Sequence, residues 1–382
     1  MKGLFEAMAV TRRKSVPVVF MLAFVFICAM IQSSPLNAQG CIIAHSVGEV
    51  GGPESQGGYL QSGHFQLAFS YRHQYSFRHF VGSEEQVYRT QDGSNVRNRI
   101  NLFDVTLTYQ ATPRFSVDAN LPAEFASRRY IIPAHSIGNN PPVEITGDYG
   151  VSGAGDISFG VQGWLWNPLH QNSHNIQLGI GIQAPTGRDN LQNRLILTPG
   201  SAPIDSTADY SVQPGLGGWG IPITWTAFQS IGQRTQAYFN GSYLITPQET
   251  NGVANTPPPG FPPPAPQNAY ISIADEYLAQ LGFAYSMASV NGLTVSAGLR
   301  EEGVPAHDLI GGNEGFRRPG YAVSFEPGVL YAFHKGNDLI TANIDRAVYR
   351  NRVASVPDLQ LGTHGDAAFA DWLWLASFIH RF

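Results

Sequence analysis

The sequence is poor in charge, in lysine and in cysteine, and beyond its N-terminus it has no long apolar run. Charged residues make up 13% of the 382 positions, against about a quarter in an average soluble domain. After the N-terminus nothing approaches the roughly 20 apolar residues of a membrane-spanning helix, which argues against a helical membrane bundle. Lys335 is the only lysine after residue 14. Proteins that bind nucleic acid need clustered positive charge to displace counterions from phosphate, so such a partner is not expected. There are two cysteines, Cys28 and Cys41.

The N-terminus reads as an export signal. Arg12, Arg13 and Lys14 form a basic region, Val16 to Ile31 an apolar one, and Leu36-Asn37-Ala38 offers a small residue for cleavage. A retained anchor is the competing reading, but the apolar run is short for a span and contains Pro17. Cleavage after residue 38 removes Cys28 with four basic residues and one acidic residue. It leaves 19 basic and 27 acidic residues, a formal net of −8. Cys41 is then the lone cysteine, so an intramolecular disulfide is impossible. Its place near a new N-terminus raises lipidation, although Ala38 stands where an apolar residue is expected; a free or partner-bonded thiol is the other reading.

What the chain does contain is glycine (41), phenylalanine (22) and tyrosine (16), set in alternating runs. In Phe65 to Arg78, FQLAFSYRHQYSFR, apolar residues hold one parity and polar residues the other, with His73 the single polar exception. Successive side chains of a strand point to opposite faces, so this segment has one apolar face and one wet face. It is fourteen residues long, enough to cross a bilayer when tilted, which takes about 9–11 residues. The pattern recurs at Phe103–Tyr109, Phe115–Leu121, Ile157–Leu165, Ile176–Ile182, Ile221–Ala227 and Phe239–Ile245. It continues at Tyr277–Tyr285, Leu293–Leu299, Tyr321–Phe333, Ile340–Ile344 and Trp372–Phe382. The last segment is ambiguous in register, because Leu373, Leu375 and Ile379 occupy the other parity.

These are twelve strands. Breaks near 111–114, 167–174, 231–235, 288–292 and 334–338 are short. Those near 79–99, 127–151, 188–208, 248–269, 304–319 and 352–367 are long. An even strand number with connectors alternating in length is the layout of an all-β, antiparallel outer-membrane β-barrel, with short periplasmic turns and long external loops. A secreted β-sandwich explains the signal and the strands, but not loops that are long on one side only. Closure also leaves no edge unpaired. The expected organisation is a cleaved signal over 1–38, a periplasmic tail or lumen plug over 39–62, and a barrel over 63–382.

Three stretches resemble the outer-membrane transporter family associated with meta-pathway phenol degradation. They are Gly153 to Trp166 (GAGDISFGVQGWLW), Ile176 to Asn190 (IQLGIGIQAPTGRDN) and the terminal FIHRF ending on Phe382. That family is similar to long-chain fatty-acid transporter barrels. The resemblance implies passive passage of small hydrophobic or aromatic solutes across a bacterial outer membrane, with no cofactor. It also implies outer-membrane lipid and the barrel assembly machinery as partners, the latter reading Phe382 as an assembly signal.

Function resides in whatever fills the interior. Arg72, Asp104, Asp118, Glu276, Arg300, Glu326 and Asp345 all lie on the inward parity. Arg or Lys facing lipid at mid-bilayer costs about 2–4 kcal/mol, so the interior is the natural place for charge. These seven are the candidate lumen residues of a narrow, partly occluded pore, or of a salt-bridged plug that only stabilises the wall. Trp166, Trp219, Trp225, Trp372 and Tyr109 are expected at the headgroup level. Two alternatives compete: a structural or adhesive barrel, and an outer-membrane phospholipase-like hydrolase. The hydrolase needs a hydroxyl, a base and an orienting group in reach of one another. Ser70 and Ser76 lie on the parity opposite His73, and Ser377 on that opposite His380. No catalytic residue and no metal site is expected. Thr256 to Pro266 (TPPPGFPPPAP) reads as a stiff external spacer.

Overall fold

The structure, a computed structural model, describes residues 58–135, 143–195, 204–257 and 262–382. The signal over 1–38, residues 39–57 with Cys41, and part of the polyproline spacer lie outside the described residues.

The chain forms one closed antiparallel barrel. In order the wall holds β1 (Phe65–Val81), β2 (Arg97–Gln110), β3 (Phe115–His135), β4 (Val143–Ala154), β5 (Ser158–Trp164) and β6 (His174–Gln183). It continues with β7 (Ile221–Ile231), β8 (Thr235–Ile245), β9 (Glu276–Ser286), β10 (Leu293–Val304), β11 (Gly320–Phe333), β12 (Asp338–Asn351) and β13 (Ala367–Arg381). Apart from β4 and β5, each pairs with its sequence neighbour, and β13 returns to pair with β1 from Gln66↔Arg381 to Phe80↔Ala367. β4 and β5 both pair with β3, one above the other, and make a single crossing broken at residues 155–157. Twelve crossings result, as the alternation predicts.

Inside-out patterning holds the wall together. Phe69 and Trp374 are each 48% exposed and Ile180 is 61% exposed, whereas the residues of opposite parity are buried in the lumen. The closing strand resolves its ambiguity by being apolar on both faces. Trp372, Trp374, Phe378 and Phe382 point out, while Leu373, Leu375 and Ile379 are buried, Ile379 against Ala68, Leu330 and Leu339. No helix among the described residues is long and apolar enough to cross a membrane. Every crossing is a strand.

Turns at one end are tight. Gly292 sits at φ +83, and a Cβ there would lie 2.1 Å from the Ala332 carbonyl oxygen, so only glycine closes that hairpin. At the opposite end the connections are long and fold inward. They carry α1 (Val87–Gln91) and α2 (Val356–Leu361), the latter started by a Ser355–Asp358 capping box.

Two boundary expectations change. Most of 127–151 is strand, because β3 and β4 continue as a hairpin past the length read from alternation. The pattern fades there because the inward side meets protein: Tyr149, Val151 and Ala126 pack on Ala208 and Val212 of the β6–β7 connection. Trp225 lies mid-strand in β7, not at a strand end, its ring against Phe239 at 5.8 Å. Trp372 likewise lies inside β13, under the Arg346 guanidinium at 4.7 Å, whereas Trp166 and Trp219 flank strands and are exposed and Tyr109, near the end of β2, has its ring 4.7 Å from that of Phe65.

Candidate functional site

The lumen is divided by side chains into a cavity, a ceiling and a cap. The cavity, about 390 Å³, occupies the half of the barrel nearest the short turns. Inward residues of β2, β3, β5, β7, β8 and β9 line it, mostly serine, threonine, asparagine and glutamine. Its floor includes Gly58, Tyr59 and Leu60, which precede β1. The Tyr59 ring meets Trp164 edge-on at 5.1 Å, and the Gly58 carbonyl accepts from Arg381 Nη1 at 3.0 Å. Residues 58–60 of the expected tail therefore sit against the lumen.

The ceiling is an ion network spanning five strands. Arg72 of β1 donates from Nη2 to Glu302 Oε1 at 2.6 Å and from Nη1 to Oε2 at 3.2 Å. Arg300 Nε donates to Glu302 Oε2 at 2.9 Å; its guanidinium lies 3.7 Å from Glu326 and 3.8 Å from Asp345. Gln280 Nε2 donates to both oxygens of Glu326 at 2.9 Å. Arg72, Arg300 and Glu326 are each 1% exposed. Two guanidiniums face three carboxylates, so each buried guanidinium has a carboxylate beside it, as it must away from water.

Above the ceiling, inward-folded connections close the other mouth. Asp209, from the β6–β7 connection, receives Arg318 Nη1 at 2.7 Å and lies 3.1 Å from Arg128 Nη2 of β3. The Arg318 guanidinium lies against both the Tyr210 ring at 4.8 Å and the Phe316 ring at 5.0 Å, two rings that meet each other edge-on. Burial alone would raise the Asp209 carboxyl pKa. The charges of Arg128 and Arg318 overcome it and hold the group well below the usual carboxylate range.

The broken crossing is sealed by three glycines. A Cβ on Gly187 would lie 2.8 Å from Gly215 and 2.9 Å from Gly155, so the three backbones touch. Asp156 accepts the amides of Gly187 and Leu216, each at 2.8 Å. Thr186 Oγ1 accepts from the Ile157 amide at 2.9 Å and donates to the Gly155 carbonyl at 3.1 Å. The two internal stretches that carry the family resemblance are thus the two sides of one junction, and the cavity reaches it at Asp156 and Gln183.

The seven charges singled out by parity fall into two sets. Arg72, Arg300, Glu326 and Asp345 meet in the ceiling; Asp104, Asp118 and Glu276 line the cavity below. Asp104 accepts from Asn120 Nδ2 at 3.4 Å, and Asp118 from Gln162 Nε2 at 2.9 Å. Phe382 is on the outer face, its amide donating to Phe65 O at 3.0 Å and its ring stacked on Phe65 at 5.7 Å. Glu302, which joins the two arginines, lies past the alternation at Leu293–Leu299 and its inward neighbour Arg300; the strand runs on to Val304, and the same parity two residues beyond Arg300 reaches it. Asp209 carries no such signal, since its partners come from distant segments.

Among the described residues neither histidine weighed for hydrolysis has a bonded serine. His73 Nδ1 lies 2.9 Å from Asn101 Oδ1 on the outer face, and His380 Nδ1 lies 2.6 Å from Asp338 Oδ1. Ser377 donates instead to Ser70 inside the wall, at 2.9 Å. Among the described residues no group of three metal-ligating side chains is assembled.

A closed twelve-crossing barrel with an apolar exterior and a polar, divided interior is the outer-membrane β-barrel fold. It is shared with an outer membrane channel from Pseudomonas putida F1, over 87% of this chain and all of that one, at 13% identity and a TM-score of 0.53. The Pseudomonas putida toluene transporter TodX aligns over 91% of this chain and 98% of its own at 12% identity and a TM-score of 0.43. No protein-family model and no curated protein matches the sequence.

Proposed function

We propose that the protein is exported, loses its signal peptide near Gln39, and resides in the outer membrane of a bacterium as a passive channel for small hydrophobic or aromatic solutes. The cavity carries this reading: about 390 Å³ of space inside a membrane barrel, within the roughly 300–1,000 Å³ of small-molecule sites. The fold shared with an outer membrane channel supports the class by analogy. Passage needs no cofactor and no energy input. Outer-membrane lipid would bathe the apolar face, and the assembly machinery would insert it. The short-turn end, with the cavity, faces the periplasm in this reading.

Planar-bilayer recording with uptake of an aromatic panel into proteoliposomes tests the proposal. Discrete conductance and saturable uptake are expected. A second reading, a structural barrel, is favoured by the ceiling, which crosses the lumen with buried ion pairs. Silence in both assays would select that reading over the channel.

A further inference from the structure

We infer that the lumen cavity selects against anions and takes solutes that donate hydrogen bonds, either neutral hydroxyl-bearing aromatics or aromatic ammonium ions. This rests on the channel reading above. Four carboxylates line the cavity, Asp104, Asp118, Asp156 and Glu276, against one guanidinium, Arg381. Arg381 lies at the floor and is engaged with Gln66 Oε1 and Gly58 O, each at 3.0 Å. Asp156 is engaged by two backbone amides at the wall junction. The ceiling adds three carboxylates to two guanidiniums, so the positive charge nearby is already neutralised.

A second feature points the same way. Gln280 is 1% exposed and lines the cavity. Glu326 holds its amide nitrogen, which fixes which end of the amide is the carbonyl oxygen. That oxygen has no hydrogen-bond partner among the described residues. A buried acceptor left unmatched is costly, and a donor on the solute would satisfy it. A solute carboxylate offers only acceptors and would meet like charge in a space shielded from bulk water. A phenolic hydroxyl offers a donor, and an ammonium offers donors and the complementary charge.

Three ring compounds of similar size discriminate: phenol, benzylammonium and benzoate. Uptake into proteoliposomes should favour phenol and benzylammonium over benzoate by about tenfold, the lower end of charge focusing in a cleft. The reversal potential in a potassium chloride gradient should show cation preference in the wild-type protein. In the Asp104→Asn/Asp118→Asn variant, checked for folding by heat modifiability, cation preference should fall several-fold, and so should the ratio of benzylammonium to phenol uptake. Benzoate passing as fast as benzylammonium, or anion preference, overturns this inference and leaves the channel standing. A folded double variant with unchanged selectivity also overturns it. Absence of flux for all three compounds would instead remove the channel reading, and the inference with it.

Discussion

Arg72 and Glu302 are 230 residues apart in sequence, and their side chains meet across the lumen at 2.6 Å. β1 and β10 are not neighbours in the wall. The pair is therefore a strut through the interior, with Glu302 shared between Arg72 and Arg300.

Glu302→Gln leaves two buried guanidiniums short of a carboxylate. Breaking a buried pair from one side costs about 3–5 kcal/mol. The variant should unfold at lower urea in detergent. Adding Arg72→Gln should recover part of the loss, and a double variant as unstable as the sum of the singles would show that the two side chains do not interact.

The Asp209 clasp is pH-sensitive, and its sign follows from the depressed carboxyl. The folded group titrates below its ordinary value of 3.8. Its stabilisation is thus complete above the ordinary carboxylate range and is lost as pH falls below it. Proteolysis of the β6–β7 connection in the intact barrel should be slow at neutral pH and accelerate on acidification below about pH 4. Asp209→Asn should be cleaved quickly at neutral pH, with its acid dependence flattened.

Gly187→Ala and Gly215→Ala insert a methyl where backbone atoms already stand within 3 Å. Overpacking of this kind costs about 1–3 kcal/mol. The yield of folded barrel on an unheated gel should drop for both. Gly232→Ala, in an open turn at φ +78 with nothing near its Cβ, separates backbone strain from crowding and should have the milder effect.

Deleting Phe382 should lower the amount of assembled barrel in membranes while leaving conductance per channel unchanged, because its ring lies on the outer face. Wild-type levels of heat-modifiable protein in the deletion strain would count against an assembly role.

Most of the wall was legible, because a two-residue period is a local property and lipid outside with polar groups inside enforces it at each crossing. Arg72 and Asp345 could be placed inward on that ground alone. Legibility ended where protein replaced lipid or water as the neighbour. Tyr149 and Val151 point inward yet are apolar, since they pack on Val212; β13 is apolar on both faces for the same reason. Asp209 was invisible because a loop carboxylate acquires meaning only from the Arg128 and Arg318 that tertiary folding brings to it. Gly155, Gly187 and Gly215 each look like an ordinary turn residue, and their mutual contact is a fact of three dimensions.

With β4 and β5 counted as one crossing, every pairing in the wall but one joins crossings that follow each other along the chain; the exception is the seam, where Phe65 and Phe382 exchange backbone hydrogen bonds at 2.8 and 3.0 Å. Local hairpins form early, and contacts between the ends of a long chain come late. A barrel that lacks its last strand has two open edges, each a template for another chain. Closure therefore depends on β13: without it the facing edges of β1 and β12 have no partner, so the wall is complete only when both ends of the described barrel have met.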